Sequence, residues 1–523
     1  MRAITSPDHE PRSPDALSET KHREIHAFSC SLLKKIELVK PEPGKPGSDR
    51  SVRALLPGKD ALKANGVAEE YRVWIERTID NHGAYLSPRD NNLLRSNLIE
   101  ISTYIRMERR GQDVSVEMYR DLFTQELLEL LFQQDDVFVM IRERSTLPYM
   151  AAKRRYWHSV PLTIGVEEEY QIVSRKNWAL SPKADEVLRR ADDAKHFSRE
   201  VYQSQVEMKT DPLGDIPALA NDLRRLREQL QSALPKNLAV VSAATHPFST
   251  WNAQQPHHTP RTDLFVHDMQ DAVRRLVTFG LHVHIGVDDP ELRIQIMNSA
   301  RQIIPLLLAV SSSSPYWEGR DTGFQSYRSS VFAVLPRTGI PPVFPNNHAF
   351  ERYVNLLATT RSFDSKGSND PTKIWWDVRL HPKYPTIEFR ICDACSRIVD
   401  TVCIAALCQA VVAKLARLLH DGQTLRIQWK PIIEENKWRA ARYGRRARFI
   451  DERTEREVTC RYAALELLDF VDDVLDDLGS RSEAHHILTI LDKGTSSNRQ
   501  TVEYRRNESL TDVVRLLAKE FTE

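Results

Sequence analysis

The 523-residue sequence lacks several features that would assign it to a functional class at once. Its 73 basic and 72 acidic residues nearly cancel, so net charge gives no reason to expect nucleic acid or a membrane as partner. No apolar run reaches the roughly 18 residues that a membrane helix needs, and the N-terminus lacks the apolar core of a signal peptide. We therefore expect a soluble cytoplasmic protein that handles charged ligands at a local site.

Cysteine is scarce, and the common phosphate-binding motifs are missing. Six cysteines in a chain of this length do not make a disulfide scaffold, and they fit free thiols in a reducing compartment. The sequence contains neither a GxxxxGK[ST] motif nor a GxGxxG motif. If a nucleotide binds, it must therefore be held by another structure, such as the polar face of a sheet.

The character of the sequence changes twice along the chain. Residues 1–55 are rich in Pro, Ser, Lys and Glu, a composition that buries too little apolar surface to offset the ordering entropy, and they predict a mobile arm. Residues 56–157 carry apolar residues at three- and four-residue spacing, which predicts a small helical module. Residues 158–523 interleave strand and helix patterns, and we expect the chemistry in this third region.

The stretch LTIGVEEEYQIV, residues 162–173, places three consecutive acids in a predicted strand. Side chains alternate between the two faces of a strand, so Glu167 and Glu169 share a polar face, whereas Glu168 points to the apolar side. The position of Glu168 predicts a basic partner or a place near a rim. Two acids on one face repel each other, which is typical of a site that binds a cation between them.

Four further segments, SQVEMKT, GLHVHIGV, WWDVRLH and TIEFRIC, divide in the same way into an apolar and a polar face. A sheet with one wet face is the ordinary explanation of such alternation. Solvent-facing strand positions are usually Thr, Ser, Lys or Gln, however, and here they are acids, imidazoles and guanidinium groups. Together they predict a set of metal ligands, Glu167, Glu169, Glu207, His282 and Glu388, with Arg379 and Arg390 as neighbouring anion binders.

The donor set indicates which metal would bind. Carboxylate oxygens with one or two imidazoles suit Mg²⁺ or Mn²⁺, whereas zinc prefers more nitrogen or sulfur ligands. A divalent cation beside guanidinium groups is suited to a polyphosphate, because both neutralise the charge on phosphate oxygens. The residues therefore favour Mg²⁺ or Mn²⁺ together with a polyphosphate ligand.

Eight motifs in order resemble the type 2 glutamate-cysteine ligase family of carboxylate-amine ligases. They are GVEEEY, SQVEMKT, THPF, GLHVHIGV, SPYWEGRDTGFQSYR, WWDVRLHP, TIEFRICDA and ENKWRAARYG, and the resemblance runs from about Pro161 to the C-terminus. It implies an α+β, glutamine-synthetase-like fold with a curved antiparallel sheet flanked by helices, here preceded by the small helical domain. It also implies ATP-dependent joining of a carboxylate, such as the γ-carboxylate of glutamate, to an amine such as that of cysteine.

The resemblance also implies roles for individual residues. The metal bound to ATP would be held by Glu167, Glu169, Glu207, His282 and Glu388. Arg390 would contact the transferred phosphate, and Arg328 and Arg379 would orient a substrate carboxylate or phosphate. His284 could be a further ligand or a supporting donor behind the ligands, and we favour the supporting donor. Arg499 is a candidate nucleotide contact or, equally, a structural anchor.

Two other functions remain open from the residues. His282 and His284 form an HxH pattern that could grip zinc in a metallohydrolase, although the surplus of Glu counts against zinc. A catalytically silent scaffold, with the N-terminal module binding a protein partner, is the other alternative. For the ligase, we expect small-molecule amino-acid substrates as partners, neither nucleic acid nor membrane, and a homo-oligomer only by analogy with the family.

Overall fold

The computed structural model describes residues 162–423 and 427–523. The mobile arm predicted for residues 1–55 and the helical module predicted for residues 56–157 lie outside the described residues. The boundaries of these regions therefore stay predictions.

The strands of the described region form one large sheet and three short pairs. They are β1 (Ile164–Ser174), β2 (Phe197–Arg199), β3 (Gln205–Lys209), β4 (Leu238–Val241), β5 (Leu281–Gly286), β6 (Tyr316–Trp317), β7 (Arg320–Asp321), β8 (Thr338–Gly339), β9 (Trp375–Trp376), β10 (Val378–Leu380), β11 (Thr386–Phe389), β12 (Arg448–Asp451) and β13 (Arg456–Thr459).

The α-helices of the described region alternate with these strands and dominate its C-terminal part. They are α1 (Ala184–Ala191), α2 (Ile216–Ala233), α3 (Pro260–Met269), α4 (Asp271–Arg274), α5 (Pro290–Ala300), α6 (Ile304–Ser311), α7 (Arg328–Phe332), α8 (Asn347–Thr359), α9 (Ile398–His420), α10 (Lys430–Tyr443), α11 (Cys460–Leu475), α12 (Arg481–Lys493), α13 (Ser496–Asn507) and α14 (Leu510–Glu520).

Strand β1 is the centre of the large sheet. The strand order is β10-β11-β5-β1-β3-β2, with β4 paired to the far end of β1, and every pairing in this sheet is antiparallel. One face of the sheet is apolar and packs on α2, α5 and α9. The other face is therefore left to carry the polar side chains.

Helices α2 and α9 cover the apolar face of the sheet. Asp215 caps the N-terminus of helix α2, because its side chain accepts a hydrogen bond from the Ala218 N–H. The leucines of α2 recur at three- and four-residue spacing and face the core. Helix α9 is long and apolar enough to span a membrane by composition alone, but its most apolar window is 83% buried within the fold. Such burial is typical of a core helix.

The acid that the alternation places on the apolar side, Glu168, is fully buried against a basic partner. Arg227 of α2 donates to both of its oxygens, with Nη2–Oε1 at 2.7 Å and Nε–Oε2 at 3.1 Å. Tyr170 and Thr401 donate to the same carboxylate, and Arg227 also donates to backbone carbonyls at Cys395 and near the C-terminus. The expected basic partner is therefore present, and Glu168 lies in the core rather than near a rim.

Removal of the Arg227 guanidinium should destabilise the domain strongly. Arg227→Met leaves Glu168 as an unpaired buried charge, so we expect the free energy of unfolding to fall by about 3–5 kcal/mol in denaturant titrations. Arg225→Met is the matched control on the same helix, because Arg225 is exposed and pairs with Asp222 at the surface. The control should lose less than about 1 kcal/mol. Equal losses in the two variants would contradict the assigned role of the buried pair.

Candidate active site

Strand register brings the predicted ligands together on the polar face of the sheet. Glu167 of β1 lies opposite His282 of β5, and Glu169 lies opposite Glu207 of β3. Glu388 of β11 lies opposite His284. Directly opposed side chains in an antiparallel pair have Cβ atoms about 5 Å apart, so residues far apart in sequence form a single patch.

The tightest group in this patch consists of Glu167, His284 and Glu388. One ligand atom of each lies within 4.8 Å of the others. Thr386 contacts His284 at Nδ1, at 3.2 Å, and the buried Nε2 has no hydrogen-bond partner while it faces Glu167 at 3.7 Å. Two carboxylates with an orphaned imidazole nitrogen fit a hard divalent cation. We expected His284 behind the ligands, but the structure places its ring within the group.

His282 lies between the two acids of β1. Its Nδ1 is 3.2 Å from Glu167 Oε2, and its Nε2 is 4.0 Å from Glu169 Oε1. Burial lowers the pKa of His282, and the nearby Arg390 charge lowers it further. The ring is therefore held in the neutral form that can ligate a metal.

Two arginines hold Glu388 at the floor of the patch. Arg379 donates from Nε to Glu388 Oε2 at 2.7 Å and from Nη2 to Oε1 at 3.2 Å, and Arg390 donates from Nη1 to Oε1. Burial alone would raise the pKa of Glu388, but Arg390 and Arg379 hold it well below its usual range. Burial would also raise the pKa of Glu167, but its favourable interactions with His282 and His284 outweigh burial, so the pKa of Glu167 is lowered as well. Both carboxylates are therefore ionised at neutral pH.

A second group of acids lies beside the first and includes a residue that sequence reasoning missed. Burial and the nearby Glu167 charge raise the pKa of Glu207 to about 7. Burial and the charges of Glu207 and Glu169 also raise the pKa of Glu200 well above its usual range. Acids forced together in this way are relieved by a bound cation.

Glu200 was missed because it lies outside any alternating strand pattern. It directly follows β2, and the β2–β3 hairpin pairs Arg199 with Val206. The hairpin thus returns Glu200 to the patch beside Glu207. A prediction of that hairpin from the sequence REVYQSQVE would have supplied the missing signal.

The patch forms one wall of a cleft of about 940 Å³, which lies within the range of ligand sites. Acidic, basic and aromatic side chains line the cleft, among them Glu167, Glu169, Glu200, Glu207, His282, His284, Arg379, Arg390, Lys209, Phe265 and Trp375. Arg390 has a buried Nε without a hydrogen-bond partner, so it retains a donor for an anion. The cleft therefore combines cation-binding and anion-binding groups.

Arg328 lies in a small cavity of about 20 Å³ that shares Arg390 with the cleft. Its guanidinium donates from Nη1 to the carbonyl of Ile391 at 3.1 Å and from Nη2 to that of Arg390 at 3.2 Å. Asp377 and Lys437 line the same cavity and form an ion pair at 2.7 Å. Arg328 is thus a neighbour of the patch rather than part of it.

Arg499 is placed as a structural anchor and is not among the residues that line the cleft. It donates from Nε to Glu520 at 2.6 Å and from Nη2 to Ser396 and Asp400. These contacts tie α13 to α14 and to the start of α9. Of the two interpretations left open by the sequence, the structure favours the anchor, and a nucleotide contact at Arg499 has no geometric support.

Comparison with known proteins places this geometry in a family. The family model described as glutamate-cysteine ligase family 2 matches residues 163–516. The chain belongs to this family. Its members are ATP-dependent carbon–nitrogen ligases that join a carboxylate to an amine, so the ligase class and the use of ATP expected from the sequence are confirmed.

Curated relatives cover the same part of the chain. A protein of Herpetosiphon aurantiacus is 42% identical over 369 residues, which are 69% of this chain and 94% of that protein. A protein of Chloroflexus aggregans is 42% identical over 364 residues, with 69% and 92% covered. Both carry the name "putative glutamate--cysteine ligase 2".

A solved structure supports the fold. The bifunctional glutathione synthetase from Pasteurella multocida matches with a TM-score of 0.50 at 16% sequence identity, covering 69% of this chain and 52% of that one. At this identity the likeness concerns the fold alone. With the antiparallel sheet and its flanking helices, the α+β, glutamine-synthetase-like fold expected for the domain is confirmed.

Loss of the charge on Glu167 should weaken binding of a divalent ion. Glu167→Gln keeps the shape of the side chain but removes a charged oxygen donor. We expect Mn²⁺ affinity, measured by electron paramagnetic resonance of the free ion, to fall by more than the roughly 10- to 100-fold that loss of an outer-shell partner produces. Glu228→Gln, an exposed position on α2, is the control and should leave the affinity unchanged. An unchanged affinity in Glu167→Gln would rule out this carboxylate as a ligand.

Proposed function

We propose that the protein activates the γ-carboxylate of glutamate, or of a similar amino acid, as an acyl phosphate and joins it to an amine such as that of cysteine. The observation that carries this proposal is the convergence of two acidic groups and two guanidinium groups on one cleft. Hydrolysis of a neutral bond needs no such pairing of opposite charges. Transfer of a phosphoryl group between two anions does need it.

Each acidic group is proposed to hold one divalent ion, Mg²⁺ or Mn²⁺. The first site would use Glu167, His284 and Glu388 with His282 beside them, and the second would use Glu169, Glu200 and Glu207. The donor chemistry fits, since carboxylate oxygens dominate both groups. When bound, such ions would neutralise the charge on the phosphates of ATP.

The chain's own residues would position the reactants. Arg390 lines the cleft and keeps a buried Nε–H without a hydrogen-bond partner, and it is proposed to bind an oxygen of the phosphoryl group during transfer. A substrate carboxylate oxygen attacks the γ-phosphorus, and the bond to ADP breaks. Arg379 fixes the position of Glu388 and keeps it ionised, and Arg328 is proposed to orient a carboxylate from the adjoining cavity.

The acyl phosphate is then attacked by the amine, with loss of inorganic phosphate and of the proton carried by the amine nitrogen. Phosphate is a good leaving group, whereas the oxygen of a free carboxylate is not. Water must be kept from this intermediate, because hydrolysis would waste the ATP. The burial of Glu388 and His284 at the cleft supports such exclusion.

The site and the family give no support to the two alternatives raised by the sequence, a zinc metallohydrolase and a catalytically silent scaffold. The closest group contains more carboxylate than imidazole, which disfavours zinc, and membership of a ligase family argues against both the hydrolase and the silent scaffold. We further propose residues 158–523 as the catalytic unit. The cytoplasmic location and a homo-oligomeric state remain predictions.

Substrate identity can be tested by phosphate release from ATP with pairs of amino acids. We expect release to require both a carboxylate donor and an amine acceptor, with glutamate and cysteine as the first pair, and mass spectrometry should find the amide. ADP formation that is independent of any acceptor would contradict the ligation step. Turnover with a different pair would retain the mechanism and replace the proposed substrates.

The assignment of Glu388 can be tested by its amide. Glu388→Gln removes the charge that pairs with Arg379 and Arg390, and kcat should fall by about 10²-fold or more. Glu434→Gln on the exposed side of α10 is the control and should retain the wild-type rate. ATP turnover at the wild-type rate in Glu388→Gln would mean that the reaction occurs elsewhere.

A further inference from the structure

Gly280 lies where three proposed functional side chains converge. It immediately precedes β5, is buried, and makes two hydrogen bonds with Glu169: its N–H donates to the side-chain Oε2 at 2.7 Å, and its carbonyl accepts from the backbone N–H at 3.1 Å. On its α-carbon side it faces Arg328 and His282. Gly280 therefore contacts residues that line the acidic cleft, Glu169 and His282, and one that lines the small cavity, Arg328.

A side chain at position 280 would collide with the Arg328 guanidinium. A Cβ atom placed there would lie 2.5 Å from Nη2 and 3.2 Å from Cζ of Arg328, and 3.2 Å from Nε2 of His282. The glycine is not needed for backbone conformation, because Gly280 is not among the residues with positive φ. The absence of a side chain at position 280 instead leaves room for the Arg328 guanidinium and the His282 ring.

On its other side Arg328 is held by hydrogen bonds to the backbone. Its two Nη atoms donate to the carbonyls of Arg390 and Ile391. Buried Asp393 lies 4.0 Å from Nη1, held by the hydroxyl groups of Ser314 and Ser326. The guanidinium is thus confined between Gly280 and the chain that continues from β11.

We propose that Gly280 is a positioning residue, which keeps open the space that lets Arg328 reach the edge of the phosphoryl-transfer site and bind the carboxylate end of an amino-acid substrate. This inference rests on the proposed function. A methyl group at position 280 pushes the guanidinium away from the carbonyl of Arg390 and turns it out of line with Arg390, the cation that both cavities share. The groups that have to yield are the flexible end of the Arg328 side chain and, by a few tenths of an ångström, the His282 ring; neither belongs to the backbone, so the fold survives the change.

Gly280→Ala is the test variant, in the full-length protein with Mg-ATP, glutamate and cysteine. We expect kcat/KM for glutamate to fall by about 10- to 100-fold, as a guanidinium displaced by about 1 Å would cause. The KM for ATP and the thermal unfolding midpoint should stay at their wild-type values. Gly214→Ala is the control, since a Cβ atom at position 214 has no neighbour within 4 Å, and it should leave all three quantities unchanged.

A double-mutant cycle separates an effect through Arg328 from an effect through His282 or the backbone. In the Arg328→Ala background the collision partner is absent, so Gly280→Ala should change kcat/KM for glutamate by less than about twofold, the scatter expected of independent sites. A loss as large as in the wild-type background would overturn the proposal. So would a wild-type KM for glutamate in the Gly280→Ala single variant.

A crystal structure of Gly280→Ala would test the proposed role of Gly280 independently of enzyme turnover. The proposal predicts that Arg328 Nη2 leaves its 3.2 Å contact with the Arg390 carbonyl while the β1–β5 pairing is kept. An unmoved guanidinium would overturn it. If wild-type protein fails to turn over glutamate with cysteine, the proposed substrates fail, and this structure still supports or rejects the role of Gly280.

Discussion

The alternation of side chains along β1 is the constraint on which the site depends. Three consecutive acids are divided between two environments: Glu168 enters the core, and its neighbours face the cleft. The buried ion pair with Arg227 fixes which way the strand faces, because a shift of register by one residue would exchange the two faces. The pair thereby keeps Glu167 and Glu169 facing the cleft, although neither Glu168 nor Arg227 takes part in binding.

The charge balance of the cleft depends on which cations and anions are bound in it. Glu388 and Glu167 are kept ionised by arginines and imidazoles, whereas burial and mutual repulsion raise the pKa values of Glu200 and Glu207. A divalent cation at the second group would relieve that repulsion, and an anion would satisfy the free donor on Arg390. Cation and anion binding should therefore support each other, as Mg-ATP requires.

Local patterns in the sequence were sufficient to find most of this site. Alternation within single strands gave Glu167, Glu169, Glu207, His282 and Glu388, because register then brings such faces together. It could not predict Glu200, which reaches the patch through a hairpin. Nor could it predict that His284 lies in the tightest group, with Glu167 and Glu388. Nor could it name Arg227, which lies 59 residues from Glu168 on a helix that reads as an ordinary amphipathic segment.

Residues that depend on the packing of distant segments were the hardest to place. The motif of Arg499 left a nucleotide contact and a structural anchor equally open, because its partners, Glu520 and Asp400, come from two other helices. Arg328 reaches its cavity only because Gly280 has no side chain, a condition that one-dimensional patterns do not contain. Sequence alternation predicts which face a residue occupies, and three-dimensional packing decides which neighbours it meets there.

Anomalous X-ray scattering from crystals grown with Mn²⁺ and a non-hydrolysable ATP analogue tests the central claim most directly. Two peaks are predicted in the cleft, one ligated by Glu167, His284 and Glu388 and the other by Glu169, Glu200 and Glu207, with the triphosphate between them and Arg390. Manganese or nucleotide bound away from this sheet face, with the cleft empty, would contradict the assignment of the site.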